Sequence, residues 1–371
     1  MDHSRRTFLA GGTWFAAGAS PADQVTLGVI GSGGRGVLVM TVFQKDPALR
    51  VGAICDVYEP NLERALSVAS KAQGPGAKAY RDYKRLLDDK NITAVLIATP
   101  EHWHHRMVLD ALAAGKDIYV EKPLSLTVVE GRQMAEAARR ARRVVQTGTQ
   151  RRSSAMVREA VEFIRAGGIG RVTAVRACDN LNEWPLGIGK QANAAPPPEL
   201  DWDLWLGPAP EVPYNPNRGW YNYRWFRDYS GGQLANNGIH LIDVVRWALD
   251  LGYPKRIAAM GGVYAIDDGR EIPDTLEVLW QYPGNVLVSF SQFNANGASA
   301  AAKPCEIEFR GTKGTLYFRL DGYEIVPEVV LSKEIPARRP TDRAQERTLR
   351  AGATSLIEPR SVKGSIKDVD H

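Results

Sequence analysis

Short apolar runs alternate with amphipathic stretches from Val25 to about Gln150. The runs predict strands at Val25 to Ile30, Val51 to Cys55, Ala94 to Ala98, Ile118 to Val120 and Val144 to Gln146. Between them, Pro60 to Lys71 and Met107 to Ala114 repeat apolar positions at helical spacing, and Gly115 stops the second. Strand and helix in strict alternation predict a parallel sheet covered on both faces.

The pattern changes after a helix expected from Ser154 to Ala166, closed by Gly167-Gly168. Strands expected at Val172 to Cys178, Arg256 to Tyr264, Leu276 to Tyr282, Val286 to Phe293, Cys305 to Arg310 and Gly314 to Leu320 are joined by Pro283-Gly284-Asn285 and Gly311-Thr312-Lys313-Gly314. Those turn residues imply hairpins, hence an open and mainly antiparallel sheet. From Asn180 to Gly231 runs a long segment rich in Pro, Trp and Tyr. A connection of that length inside a compact domain points to function.

The chain has 371 residues, enough for two domains, and a formal charge of +5. Much of the excess lies in the arginines between Arg338 and Arg350, with no aromatic-interleaved basic stripe, which argues for a solvated tail and against nucleic acid as a partner. Cys55, Cys178 and Cys305 form no C-x-x-C pair or metal-ligand spacing, and an odd, sparse set argues against a disulfide framework. Cys55 reads as a buried structural thiol.

The first 19 residues read as a twin-arginine export signal: Ser4-Arg5-Arg6-Thr7-Phe8-Leu9, an apolar stretch too short to span a bilayer, and a small-residue cleavage pattern at Ala17-Gly18-Ala19. The expectation is a protein that folds in the cytoplasm, passes through the twin-arginine machinery and works in the periplasm without a stable membrane anchor. The expected domains are residues 20–150, residues 151–335 and a tail over 336–371.

Gly31-Ser32-Gly33-Gly34-Arg35-Gly36 follows the first strand and opens a helical pattern, and the second strand ends in Asp56. Strand, glycines, helix and acid together form the fingerprint of a Rossmann domain. Backbone amides at the helix start would hold a pyrophosphate, and Asp56 would accept the ribose hydroxyls and repel a 2′-phosphate. This favours NAD over NADP. Free nicotinamide cofactor is scarce outside the cytoplasm, so an exported protein should keep it bound.

Thr99-Pro100 ends a strand, Glu101-His102-Trp103-His104-His105 follows, and Glu121-Lys122-Pro123 closes the next strand. With the Gly31 fingerprint and Gly231-Gly232-Gln233-Leu234 through Gly238-Ile239-His240 to Asp243, these segments resemble the Gfo/Idh/MocA family of oxidoreductases over nearly the whole chain. The resemblance implies an N-terminal Rossmann domain, a C-terminal α+β domain with a large open sheet, and a homo-oligomer built through that sheet. It implies cofactor contacts at Gly31, Gly33, Arg35, Gly36, Asp56, Thr99, Pro100, His104, Glu121 and Lys122. It also implies that Lys122 holds the reacting hydroxyl, that the Lys122–Pro123 bond is cis, and that His240 is the general base. Where family members carry an Asp four residues before that histidine, this chain has Asn236, which orients a hydroxyl but adds no charge. Asp243 reads equally as an orienter of His240 or as a solvated acid.

His102, His104 and His105 cluster without the further ligands a metal needs, so no metal is expected. The segment from Trp220 to Tyr229 fits sugar recognition, with Arg224 and Tyr229 as substrate contacts beside Lys122, Asn236 and His240, and fits packing equally well. Family members continue beyond a segment like Lys367 to His371 into a helix, which implies that this helix is missing here. The leading expectation is an NAD-dependent oxidoreductase acting on a carbohydrate or polyol. The alternatives are a redox-neutral glycosidase, in which transient oxidation drives elimination, and a non-catalytic sugar or nucleotide binder.

Overall fold

The computed structural model describes residues 24–330 and 354–366. The export motif, the arginines between Arg338 and Arg350, and the segment from Lys367 lie outside the described residues.

The first domain runs β1 (Val25–Ile30), α1 (Gly34–Phe43), β2 (Leu49–Cys55), α2 (Glu59–Gln73), β3 (Lys78–Tyr80), α3 (Tyr83–Asp88), β4 (Ala94–Ile97), α4 (Glu101–Ala113), β5 (Asp117–Val120), α5 (Val128–Ala141) and β6 (Val145–Thr147). Its six strands are parallel, in the order β3-β2-β1-β4-β5-β6. The order reverses between β1 and β4, and a crevice opens there beyond the strand ends, the usual place for a ligand in such a sheet. Local sequence sets the helix ends. Thr127 and Glu130 cap α5 reciprocally, and α5 stops at Arg142 in the left-handed region.

The second domain runs α6 (Ala155–Arg165), β7 (Val172–Asn180), α7 (Trp202–Leu206), α8 (Ile239–Leu249), β8 (Arg256–Gly262), β9 (Thr275–Tyr282), β10 (Val286–Phe293), β11 (Ile307–Gly311), β12 (Gly314–Arg319), β13 (Gly322–Pro327), β14 (Val329–Val330), β15 (Thr354–Ser355) and β16 (Arg360–Lys363). Eight of these strands form one sheet in the order β16-β13-β12-β11-β7-β10-β9-β8. Only the β7–β10 pair is parallel, because β7 enters from the first domain rather than from a hairpin. Helix α6 buries Met156, Val157, Ala160, Val161 and Ile164, and α8 buries Leu241, Val244, Val245 and Ala248, all against one face of this sheet. On β8 and β9, Ile257, Met260 and Leu279 remain exposed.

Both anticipated hairpins form, with Tyr282 opposite Val286 and Arg310 opposite Thr315. Three strands of the two large sheets were not foreseen, nor was the separate two-residue pair β14–β15. β3 is three residues long and β16 is an exposed edge strand, so neither has an apolar run. β13 does alternate, burying Tyr323 and Ile325 around Glu324. Because β16 pairs with β13, the sheet takes in residues beyond 335, and the expected boundary there is corrected. Among the described residues, no helix is long and apolar enough to cross a membrane.

Candidate active site at the domain junction

A cavity of about 510 Å³ opens at the ends of β1, β2 and β4 and is lined by Gly31, Gly33, Arg35, Asp56, Thr99 and Pro100 among others. Its backbone shape depends on glycine. Gly31 has φ +84°, and a Cβ there would lie 2.8 Å from the main chain of Ala98 and Thr99. A Cβ on Gly36 would sit 2.0 Å from the Gly31 carbonyl, so this third glycine lets α1 pack on the turn and does not itself line the cavity. Helix α1 starts behind Gly33 with no side-chain cap, leaving its first amides for an anion. These features fit a dinucleotide pyrophosphate.

Asp56 accepts the Ser32 N–H at 2.7 Å, the Ser32 hydroxyl at 3.1 Å and the Tyr58 N–H at 2.9 Å. Burial pushes its carboxyl above the usual range, against the pull of those bonds. The two arginines nearby are engaged elsewhere: Arg64 donates to the Ser32 carbonyl and to Asn61, and Arg81 pairs with Glu59. A 2′-phosphate at this point would meet the Asp56 carboxylate, as expected for NAD.

At the other end of the site, Lys122 Nζ donates to the main-chain oxygen and to the side-chain Oδ1 of Asn236, both at 2.8 Å. The acceptor geometry comes from a π-helical turn, Leu234–Gly238, set directly before α8. Arg224 donates Nε to the same Oδ1 at 3.2 Å, and the Asn236 amide donates to Gln233 at 3.1 Å. Burial, with Arg224 beside it, pulls the Lys122 ammonium down to about 8. His240 is buried in the first turn of α8, four residues after Asn236. The Lys122–Pro123 bond is cis, as the resemblance implied.

Besides Gly36, the expected cofactor contacts His104, Glu121 and Lys122 do not line the cavity, and the first two stand one layer back. His104 is fully buried, with its ring nitrogens 2.7 Å from the Pro123 carbonyl and 2.9 Å from that of Thr99. It ties the two strand ends together instead of facing the cavity. Glu121 is also buried and accepts Arg35 Nε at 2.8 Å, so it orients Arg35, which does line the cavity. The segment from Trp220 to Tyr229 divides. Trp220, Tyr221, Tyr223 and Arg224 line the cavity. Tyr229, expected to touch substrate, is fully buried beside Trp205 with its hydroxyl 3.4 Å from Arg218, and that expectation is corrected. Asp243 accepts both Arg152 donors at 2.7 and 2.8 Å, so it serves an ion pair. His102 and Trp103 both meet the Trp205 carbonyl, and burial pulls the His102 ring down to about 4. Among the described residues, no group of three potential metal ligands forms.

A family model described as the Gfo/Idh/MocA oxidoreductase family, NAD-binding Rossmann fold, matches residues 25–149, and the model of that family's C-terminal alpha/beta domain matches residues 172–259. The chain belongs to the Gfo/Idh/MocA oxidoreductase family. Among curated relatives, glycosyl hydrolase family 109 protein 1 of Shewanella sp. (strain ANA-3) and an alpha-N-acetylgalactosaminidase of Shewanella oneidensis are each 34% identical over 126 residues. Each alignment spans 33% of this chain and 28% of the relative. Among solved structures, a levoglucosan dehydrogenase in complex with NADH and levoglucosan superposes with a TM-score of 0.63 at 19% identity, covering 92% of this chain and 80% of that one. At that identity the likeness speaks to the fold. The chain thus has the architecture of an NAD(P)-dependent oxidoreductase, and NAD is its cofactor.

In this family member, two contacts around the site carried no signal in the sequence. Tyr58 and Trp220 come from different domains and meet at a tilt, with ring centroids 4.5 Å apart. Glu101 is buried at the start of α4 and accepts the Ser230 hydroxyl at 3.0 Å. Only tertiary packing brings these partners together, although a buried acid beside Pro100 could have been suspected from Asp/Glu enrichment in first helical turns.

Proposed function

We propose that this protein is an exported, carbohydrate-active enzyme that uses a retained NAD in a redox-neutral cleavage of glycosides. The observation that carries the reading is the Lys122 ammonium fixed by Asn236 beside Arg224, itself part of the wall of a cavity whose other end is the glycine turn and Asp56. Retention is supported by the cover over that cavity. Leu204, Trp205, Trp220 and Tyr221 of the second domain line it together with Tyr58 and Arg81 of the first. Export rests on Arg5-Arg6 and the small-residue pattern after it.

Bound NAD supplies an acceptor for the hydrogen of an alcohol carbon. Lys122 holds the alcohol oxygen, and His240 takes its proton. The carbonyl left behind acidifies the neighbouring C–H. Loss of that proton to a base of the site forms a C=C bond as the glycosidic C–O bond breaks, and the departing oxygen gains a proton. Water then adds to the double bond and the hydrogen returns to the carbonyl carbon, so the net change is hydrolysis. Simple alcohol oxidation, the leading expectation from sequence, is the second reading. The glycosidase names of the relatives favour cleavage, whereas the fold-level likeness to a sugar dehydrogenase favours oxidation.

Incubation of the purified protein with nitrophenyl glycosides and no added NAD separates the two. Release of nitrophenol with an unchanged NAD to NADH ratio supports cleavage, whereas accumulation of NADH supports oxidation. Neither change with any sugar sinks both. Replacing Arg5-Arg6 with a lysine pair should keep the protein in the cytoplasm. We also propose that the exposed face bearing Ile257, Met260 and Leu279 meets a second copy, which sedimentation measures directly.

A further inference from the structure

Two cations share one neutral oxygen at the substrate end of the site. Lys122 Nζ and Arg224 Nε both donate to Asn236 Oδ1, and among the described residues neither forms an ion pair. Arg224 also donates Nη1 to the Tyr221 carbonyl at 3.1 Å and lies over the Tyr221 and Tyr223 rings. Glu121 and Glu101 act on the Lys122 ammonium through their charge alone: Glu121 accepts from Arg35 and from the Lys122 main-chain N–H at 3.3 Å, and Glu101 accepts from Ser230. An amide accepts hydrogen bonds but brings no charge, so at the oxygen the two cations share no anion offsets them, and Glu121 and Glu101 do so only through space. The Lys122 ammonium also has a third proton beyond the two given to Asn236, and the Arg224 guanidinium has Nη2.

We propose that Arg224, with the Lys122 ammonium across the Asn236 amide adding its field while its third proton stays with the reacting hydroxyl, forms a subsite for an acidic group on the sugar, so that the substrate is an acidic carbohydrate. This deepens the carbohydrate reading above and rests on it. Carboxylate and sulfate ester share the chemistry: an oxyanion with several acceptors, which a guanidinium meets with charge-assisted bonds in the field of a neighbouring ammonium. Arg224 is then the residue that sets specificity, and Asn236 is the position that keeps the internal anion out.

Calorimetry on the NAD-loaded protein, with glucuronate, galacturonate and galactose 6-sulfate against glucose and galactose, tests the subsite by binding alone. The expected result is at least tenfold tighter binding of an acidic sugar than of its neutral partner. Tight uronates with weak sulfate assign a carboxylate, and the reverse assigns a sulfate ester. Arg224→Gln should reduce the preference at least tenfold. Asn236→Asp, which supplies the missing charge from within, should erode it in a protein that still melts cooperatively and still carries NAD. Equal affinity for acidic and neutral sugars overturns the subsite but leaves the carbohydrate reading standing. Failure of every sugar to bind overturns both.

Discussion

The two ends of the site are built from different materials. Around Gly31 and Gly36 the shape comes from backbone, with a positive φ and atoms so close that no side chain fits. Around Lys122 it comes from side chains of segments more than 100 residues apart, joined through the amide of Asn236. A backbone cradle either exists or does not, whereas a side-chain constellation can be retuned one group at a time. The nucleotide end is therefore the rigid half of the machine, and the Asn236 end is where chemistry and specificity are adjusted.

Substitutions at the two ends should differ in what they destroy. Lys122→Ala should cost about 10³-fold in turnover, the order expected when a group that polarises the reacting oxygen is lost, while bound NAD, measured by absorbance after denaturation, persists. Gly31→Val should do the opposite. It forces a β-branched residue into the left-handed region against Ala98 and Thr99, and NAD affinity should fall by at least about 100-fold. Asp56→Ala, which removes the expected ribose acceptor, should weaken NAD by roughly 10–100-fold on titration of the stripped protein.

A subtler change sharpens the contrast. Lys122 is drawn down to about 8, so its ammonium is complete below that pH and is lost above it. If the ammonium is the working form, kcat/KM falls as pH rises through about 8. Asn236→Asp places a negative charge against Lys122, favours the ammonium and should move that limb upward by about one unit, and a limb that stays put would show that Lys122 does not govern it. The smallest effect is expected at Tyr229→Phe. Among the described residues its hydroxyl bonds only Arg218 in a buried cluster, so stability should drop by about 1 kcal/mol or less with KM unchanged in a steady-state assay.

The difference between the two ends also explains what could be read in advance. Gly31, Gly36 and Asp56 are local to one strand-turn-helix unit, and local spacing reveals them. Lys122, Asn236 and His240 were legible only by resemblance, and the shared oxygen between Lys122 and Arg224 was not legible at all, because it depends on a π-helical turn and on a loop returning from elsewhere. His104 was misplaced for a physical reason: its neighbours Thr99 and Pro100 line the cavity, but the helix turns its ring inward onto two carbonyls. Tyr229 was misplaced because an aromatic run has the same composition whether it stacks on a ligand or on Trp205. Among the sheet strands, β13 had the right alternation and was overlooked, whereas β3 and β16 have too little apolar content to announce themselves.

The long segment between β7 and α8 is stitched to the nucleotide domain by main-chain bonds. Glu59 N–H donates to the Glu199 carbonyl at 3.1 Å, Asp201 N–H donates to that of Val57 at 3.0 Å, and Tyr58 bridges to Leu200. Main-chain pairing fixes register, so residues inserted between Asp201 and Arg224 must be absorbed without moving either anchor. A lineage carrying this arrangement would find new substrates mainly by exchanging side chains such as Asn236 and Arg224, and only rarely by changing the length of the loop that presents them.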